Sequence, residues 1–180
     1  SRQFGDASPK GAKEFIDMSK QSADRLTKQI DDMLSYCRVD RNLPPMQAVD
    51  LNQMVRTIQM ELNEKIKEKN AIITVKKPLP VLDEVHSSML HHVFQNLIAN
   101  GIKFNTNASP EVCIDYRHEH GVFTFSVSDN GIGIDAAYKS KLFQMLKRLH
   151  TVDQAEGTGI GLAVCKKVIN YYNGEIWLEG

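Results

Sequence analysis

Two adjacent prolines, Pro44 and Pro45, constrain the folding of this chain more than any other feature. Proline removes a backbone donor and pushes its predecessor out of the helical region, so no helix runs through Asn42-Leu43-Pro44-Pro45. Upstream, residues 9 to about 39 read as one long helix, with Ile16, Ala23, Leu26, Ile30, Met33 and Cys37 at spacings of three, four and seven. That heptad-like stripe suits a bundle or coiled coil, and one helix cannot bury it alone. It is expected to pair with another helix or another chain; packing on its own globular part is the plainer alternative.

Downstream the pattern changes. Asp50 offers an N-cap for a helix running to about Lys69. Residues 71–76 look like a strand, Pro78 and Pro80 bracket a turn, and an apolar-periodic helix spans roughly 86–104. Residues 111–117 and 122–128 alternate as strands joined at His118 to Gly121, an expected antiparallel hairpin. Residues 135–156 are polar and irregular, with one short helix near 138–146. A helix fits 159–172, and a strand fits Glu175 to Leu178. Helices mixed with a hairpin-containing sheet indicate an α+β sandwich.

Composition excludes several classes. The 180 residues carry 22 basic and 22 acidic side chains, which argues against a nucleic-acid binder with its usual basic excess. Cys37, Cys113 and Cys165 stand far apart with no C-x-x-C pair, so they read as reduced thiols of a cytoplasmic protein rather than a disulfide framework or a zinc site. No apolar run approaches the ~18 residues of a membrane span. The chain opens on Ser1 without an initiator Met or a signal peptide, so it is expected to be a piece of something longer.

Three segments carry candidate chemistry. In Asn96-Leu97-Ile98-Ala99-Asn100-Gly101-Ile102-Lys103-Phe104, positions 96, 100 and 103 share one helix face. Two carboxamides and an ammonium on one face suit a hydrated Mg²⁺ with phosphates, since amide oxygens are hard ligands; a solvated polar stripe looks the same in isolation. Asp129-Asn130-Gly131-Ile132-Gly133-Ile134 reads as a tight turn after a strand, or as a place where glycines let a ligand approach the backbone and a carboxylate accepts from an amine. Gly157-Thr158-Gly159-Ile160-Gly161-Leu162 opens a helix, where exposed N–H groups and the helix dipole favour a phosphate. It matches neither a dinucleotide fingerprint nor a P-loop.

In order and spacing these segments resemble the N box and the two glycine boxes of the histidine-kinase ATP-binding domain, a member of the gyrase–Hsp90–kinase–MutL superfamily. Between them, Lys141-Leu142-Phe143-Gln144-Met145-Leu146-Lys147-Arg148-Leu149-His150 resembles the F box of the family's mobile ATP lid, and Trp177 sits where many members place an aromatic residue. The resemblance covers roughly residues 50–180. It implies an α+β fold, a two-layer α/β sandwich of the Bergerat type, over residues 47–180, without the family's last strand. Residues 12–40 resemble the second helix of the kinase dimerisation hairpin, and Phe4-Gly5-Asp6-Ala7-Ser8-Pro9 the preceding loop in phytochrome-type kinases. Residues 1–41 are thus expected to be a partial dimerisation segment.

By the same resemblance, Asn96 and Asn100 would hold Mg²⁺ and the ATP phosphates, and Lys103 would contact phosphate. Phe104 would lie against adenine, or serve as a core aromatic. Asp129 would bind the adenine amine in a pocket shaped by Gly131 and Gly133. Gly157, Thr158, Gly159, Gly161 and Leu162 would hinge the lid and cradle phosphates, with Arg148 as the lid's basic residue. Gly101 replaces the usual alanine at a helix cost of about 0.8–1 kcal/mol, which is expected to loosen the site, and Leu146 stands where a second lid phenylalanine is common. None of His86, His91, His92, His118, His120 and His150 has the surroundings of a phosphate acceptor, and His92 reads as a partly buried structural residue. The catalytic histidine is expected upstream.

The implied reaction moves the γ-phosphoryl of ATP to a histidine and onward to an aspartate of a response regulator receiver domain. A homodimer through the helical hairpin is implied, with no nucleic acid and no direct membrane contact by this segment. A superfamily ATPase would place a glutamate four residues before the Mg-binding asparagine; here that position is Asn96, which cannot take a proton. A protein-serine kinase of the same fold and a nucleotide-binding regulatory or dimerisation module without kinase activity are the other readings.

Overall fold

A computed structural model describes residues 9–38, 43–135, 138, 141–144 and 159–179. The long N-terminal helix α1 spans Pro9–Arg38. It approaches the last helix, α5 (Gly161–Tyr171), while Phe15, Ile16, Met18, Leu26, Ile30, Met33 and Leu34 stay exposed. The apolar stripe is therefore largely uncovered by its own globular part.

After the proline break, β1 (Gln47–Asp50) leads into α2 (Leu51–Glu61). Asp50 caps α2 as expected: its Oδ1 accepts from the Asn52 N–H at 2.8 Å and from the Gln53 N–H at 3.4 Å. Hydrogen bonds from Asn52, side chain first and then backbone, hold the Asp50 carboxyl below its ordinary range. The helix expected to reach Lys69 instead bends at Leu62 (φ −92°, ψ 6°), and α3 (Asn63–Lys69) follows. Leu62 is buried at the bend and still donates to the Ile58 carbonyl at 2.9 Å, so no Gly or Pro marks the break. Asn70, in the left-handed region at φ 51°, closes α3.

The sheet is divided. β2 (Ile72–Val75) runs parallel to β4 (Glu111–Glu119), which pairs antiparallel with β5 (Val122–Asp129) in the expected hairpin. Two short strands escaped the sequence reading: β1 pairs with β3 (Val81–Val85). A register shift in this pair, with Glu84 at φ 53°, places half-buried Leu82 and Val85 three apart rather than two, so alternation fails as a signal. Glu175 to Leu178 forms no strand among the described residues, and Trp177 Nε1 donates to Glu179 Oε1 at 2.9 Å. Among the described residues no strand pairs with this segment, so its strand-like composition does not become a strand. Of the helix expected near 138–146, residues 138 and 141–144 show only short turns, and its other positions lie outside the described residues.

Helix α4 (Ser87–Lys103) organises the packing. Leu90, Phe94, Ile98 and Ile102, four apart, face a core shared with Leu51, Val55 and Ile58 of α2 and Val112 and Ile114 of β4. Each such side chain, fully buried, contributes roughly 1.5–3 kcal/mol. Met89 and Val93 belong to a second cluster with Ile160, Val164, Cys165 and Val168. Burial pushes the Cys165 thiol up to about 12, so it behaves as a core hydrophobe. The end of α5 is tied to the start of α4: Tyr172 Oη accepts from the His86 N–H at 2.8 Å, and Tyr171 Oη lies 3.1 Å from His86 Nε2. The buried structural histidine is thus His86, whereas His92 is exposed, one position off the inward stripe.

Candidate functional site

Because α4 packs on the sheet with one stripe and on α5 with another, its third face is left for Asn96, Asn100 and Lys103. All three are half-buried, so this is a sheltered groove wall rather than a freely solvated stripe. Asn96 Nδ2 donates to the His92 carbonyl at 3.0 Å, which turns the amide oxygen outward. That oxygen lies against Gly161: a Cβ on Gly161 would come within 2.5 Å of Asn96 Oδ1. The N-box face and the start of α5 are therefore in contact only because residue 161 has no side chain.

The other glycine turn reaches the opposite end of the same helix. Ile132 N–H donates to the Phe104 carbonyl at 3.1 Å, and a Cβ on Gly131 would sit 2.5 Å from that oxygen. Gly131 N–H donates to Asp129 Oδ1 at 2.9 Å, fixing the carboxylate beside the turn. Gly101 is part of this junction. A Cβ there would meet Val112 Cγ2 at 2.9 Å and Asp129 Cβ at 3.2 Å. The expectation that Gly101 loosens the site is corrected: its missing side chain lets α4 close onto β5 at Asp129.

Asp129, which meets α4 at Gly101, thus lies about 7.5 Å along the helix axis from Asn96, the rise of five residues. Lys103 Nζ sits 4.5 Å above the ring of half-buried Phe104, a cation–π contact that holds the ammonium near the mouth. Gly133 (φ 68°) and Gly159 (φ 70°) adopt backbone conformations that favour glycine, and open space surrounds Gly133. Ile160, the N-cap residue of α5, is buried and makes no side-chain cap hydrogen bond. Arg148, Gly157 and Thr158 lie outside the described residues.

The sequence reading missed three asparagines behind Asp129. Buried Asn105 donates through Nδ2 to Asn130 Oδ1, which also accepts from the Glu111 N–H at 2.8 Å. Asn107 donates through Nδ2 to the Asn130 carbonyl, and its N–H donates to Asn105 Oδ1 at 2.9 Å. Residues 105–110 read as a plain connecting loop, and loop amides carry no periodicity that would single them out.

A family model described as histidine kinase-, DNA gyrase B- and HSP90-like ATPase matches residues 85–180. The chain belongs to this ATPase family. Helix α4, both glycine turns and α5 all fall within the matched region. The chain is 39% identical to the phytochrome-like protein Cph1 of Synechocystis sp. over 98% of its own length and 23% of that protein. It is also 39% identical to cyanobacterial phytochrome A of Nostoc sp., over 93% of this chain and 22% of the relative. The chain therefore spans about a quarter of the length of these curated relatives. Full-length ShkA, solved in complex with AMPPNP, superposes with a TM-score of 0.73 at 22% identity, over 93% of this chain and 35% of that one. The histidine kinase ThkA, solved with the response regulator TrrA, gives 0.72 at 20% identity over 96% of this chain and 48% of that one. At these identities the structures establish the shared fold, the two-layer α/β sandwich that the motifs imply. No helix among the described residues is long and apolar enough to cross a membrane.

Proposed function

We propose that this chain is the ATP-binding catalytic part of a sensor histidine kinase, with residues 47–180 as the nucleotide domain and residues 1–41 as the second helix of a dimerisation hairpin. The observation that carries the proposal is that one polar helix face is met at its two ends by two glycine turns, Gly161 against Asn96 and Gly131 against Phe104. A nucleoside triphosphate laid along that face presents its purine to Asp129 and its phosphates to α5.

In this reading Asp129 Oδ2 accepts from the adenine amine, since Oδ1 is already taken by the Gly131 N–H. Phe104 flanks the purine, and Gly133 leaves room beside it. Lys103 and Arg148 add positive charge, and Gly157, Thr158, Gly159 and the first-turn N–H groups at Gly161 and Leu162 cradle the phosphates. The oxygen donors fit a hard cation, and Asn96 and Asn100 would hold Mg²⁺ through their amide oxygens. A cation held by these two amides would supply neutralisation of the charge that builds on the phosphates. The protein itself contributes positioning and water exclusion. Asn96, standing where the superfamily ATPases carry glutamate, cannot take a proton from water, which disfavours hydrolysis. The γ-phosphoryl passes to a histidine of the helical hairpin, and onward to a receiver domain such as the partner seen with ThkA. The exposed stripe of α1 suits a homodimer. A cytoplasmic setting fits Cys113 and Cys165, which are free thiols.

Incubated alone with γ-labelled ATP, the chain is expected to take up no acid-labile label. Supplying in trans a phytochrome-kinase hairpin that carries its histidine should label that hairpin. Release of inorganic phosphate without any transfer would contradict the kinase reading and favour an ATPase.

A further inference from the structure

We infer that the asparagine triad Asn105, Asn107 and Asn130 positions Asp129 for adenine and thereby sets the preference for adenine over guanine nucleotides. This rests on the proposed nucleotide site and deepens it. Asp129 is exposed at the end of β5, directly before the turn at residues 130–132. Its position depends on where residues 130–132 are held. Four hydrogen bonds from outside the turn hold Asn130: Asn105 Nδ2 and the Glu111 N–H to its side-chain oxygen, Asn107 Nδ2 to its carbonyl, and its own N–H to the Glu111 carbonyl at 3.3 Å. Ile132 N–H is tied to the Phe104 carbonyl next door. Asn105 is 6% exposed, so its amide cannot exchange these partners for water without opening the loop.

The chemistry gives this brace a selective consequence. A carboxylate accepts from the exocyclic amine of adenine but faces a carbonyl oxygen at the same place on guanine. A fixed carboxylate therefore separates the two purines, whereas a loose one loses contact with adenine and yields to guanine. None of the three asparagines needs to touch the nucleotide.

The Asn130 side chain uses one oxygen to accept twice, so an aspartate can replace it in both bonds while alanine can replace neither. Dissociation constants for ATP and GTP, measured by calorimetry in excess Mg²⁺ on the full chain, test the inference. Asn130→Ala is expected to weaken ATP at least tenfold and to shrink the ATP-to-GTP preference by a similar factor. Asn130→Asp should restore both to within about threefold of the parent. If Asn130→Ala does not fold, Asn107→Ala, at an exposed position, takes its place and should narrow the preference in the same sense. Equal weakening of ATP and GTP, or an unchanged preference in the alanine variant, overturns the positioning role. Asp129→Asn is run alongside. If it abolishes ATP binding while the asparagine variants bind normally, the brace alone is wrong; if it too binds ATP normally, the adenine site falls and the brace with it.

Discussion

Asp129→Asn is expected to weaken ATP binding at least about 30-fold while the apo protein unfolds at nearly the same temperature. A hydrogen bond to a charged acceptor is worth roughly 1.5–3 kcal/mol, and each 1.4 kcal/mol is a factor of ten in affinity. The substituted amide adds a penalty, because keeping its oxygen on the Gly131 N–H turns its NH₂ group toward the adenine amine, donor against donor. The same substitution asks little of the fold. Asp129 is exposed, and the bond it makes at 2.9 Å to the Gly131 N–H needs only one acceptor oxygen, which asparagine retains. Calorimetric titration beside a thermal melt separates the two effects. Unaltered affinity would remove Asp129 from the site.

Gly161→Ala is expected to cost at least tenfold in the affinity for Mg²⁺·ATP, with a smaller loss for ATP measured in a chelator. The added Cβ would lie 2.5 Å from Asn96 Oδ1 and 3.1 Å from its Cγ. Something must move, and the amide of Asn96 is the softer partner: its tether is one hydrogen bond to the His92 carbonyl. The helix itself tolerates the change, since alanine is favoured over glycine by about 0.8–1 kcal/mol. Stability should therefore stay close to the parent while the outward-turned oxygen is displaced. Titrations with and without Mg²⁺ read the difference directly. Equal losses in both would mean that Asn96 has no part in holding the ion.

These two residues also show what the sequence made legible. On its residues alone Asp129 was ambiguous, because a carboxylate before Asn-Gly and a second glycine also reads as a plain tight turn, and the family resemblance singled it out. Helical spacing puts Asn96, Asn100 and Lys103 on one face, but a solvated polar stripe looks the same, and the resemblance gave them their expected roles. The contacts that make a site of them were not legible. Gly101 looked like a helix defect, yet it admits Val112 and Asp129 to the helix surface, a fact set by tertiary approach rather than local preference. Asn105 and Asn107 looked like loop filler because their partner, Asn130, lies more than twenty residues away. The β4–β5 hairpin and helices α1, α4 and α5 followed from periodicity, whereas the break between α2 and α3 at Leu62 did not. The β1–β3 pair did not: only Val49 of β1 is buried, and the irregular register of β3 breaks the two-residue repeat. Glu175 to Leu178 had the composition of a strand, but pairing is a property of two segments and no single stretch contains it.

The most direct measurement is a crystal structure of this chain with Mg²⁺ and a non-hydrolysable ATP analogue. The account predicts the purine amine on Asp129 Oδ2, the ion on the amide oxygens of Asn96 and Asn100, and the phosphates over the first turn of α5 beside Gly161. Nucleotide seated instead in the groove of about 570 Å³ lined by Arg56, Gln59, Met60, Asn63, Ile66 and Ile73 would contradict it.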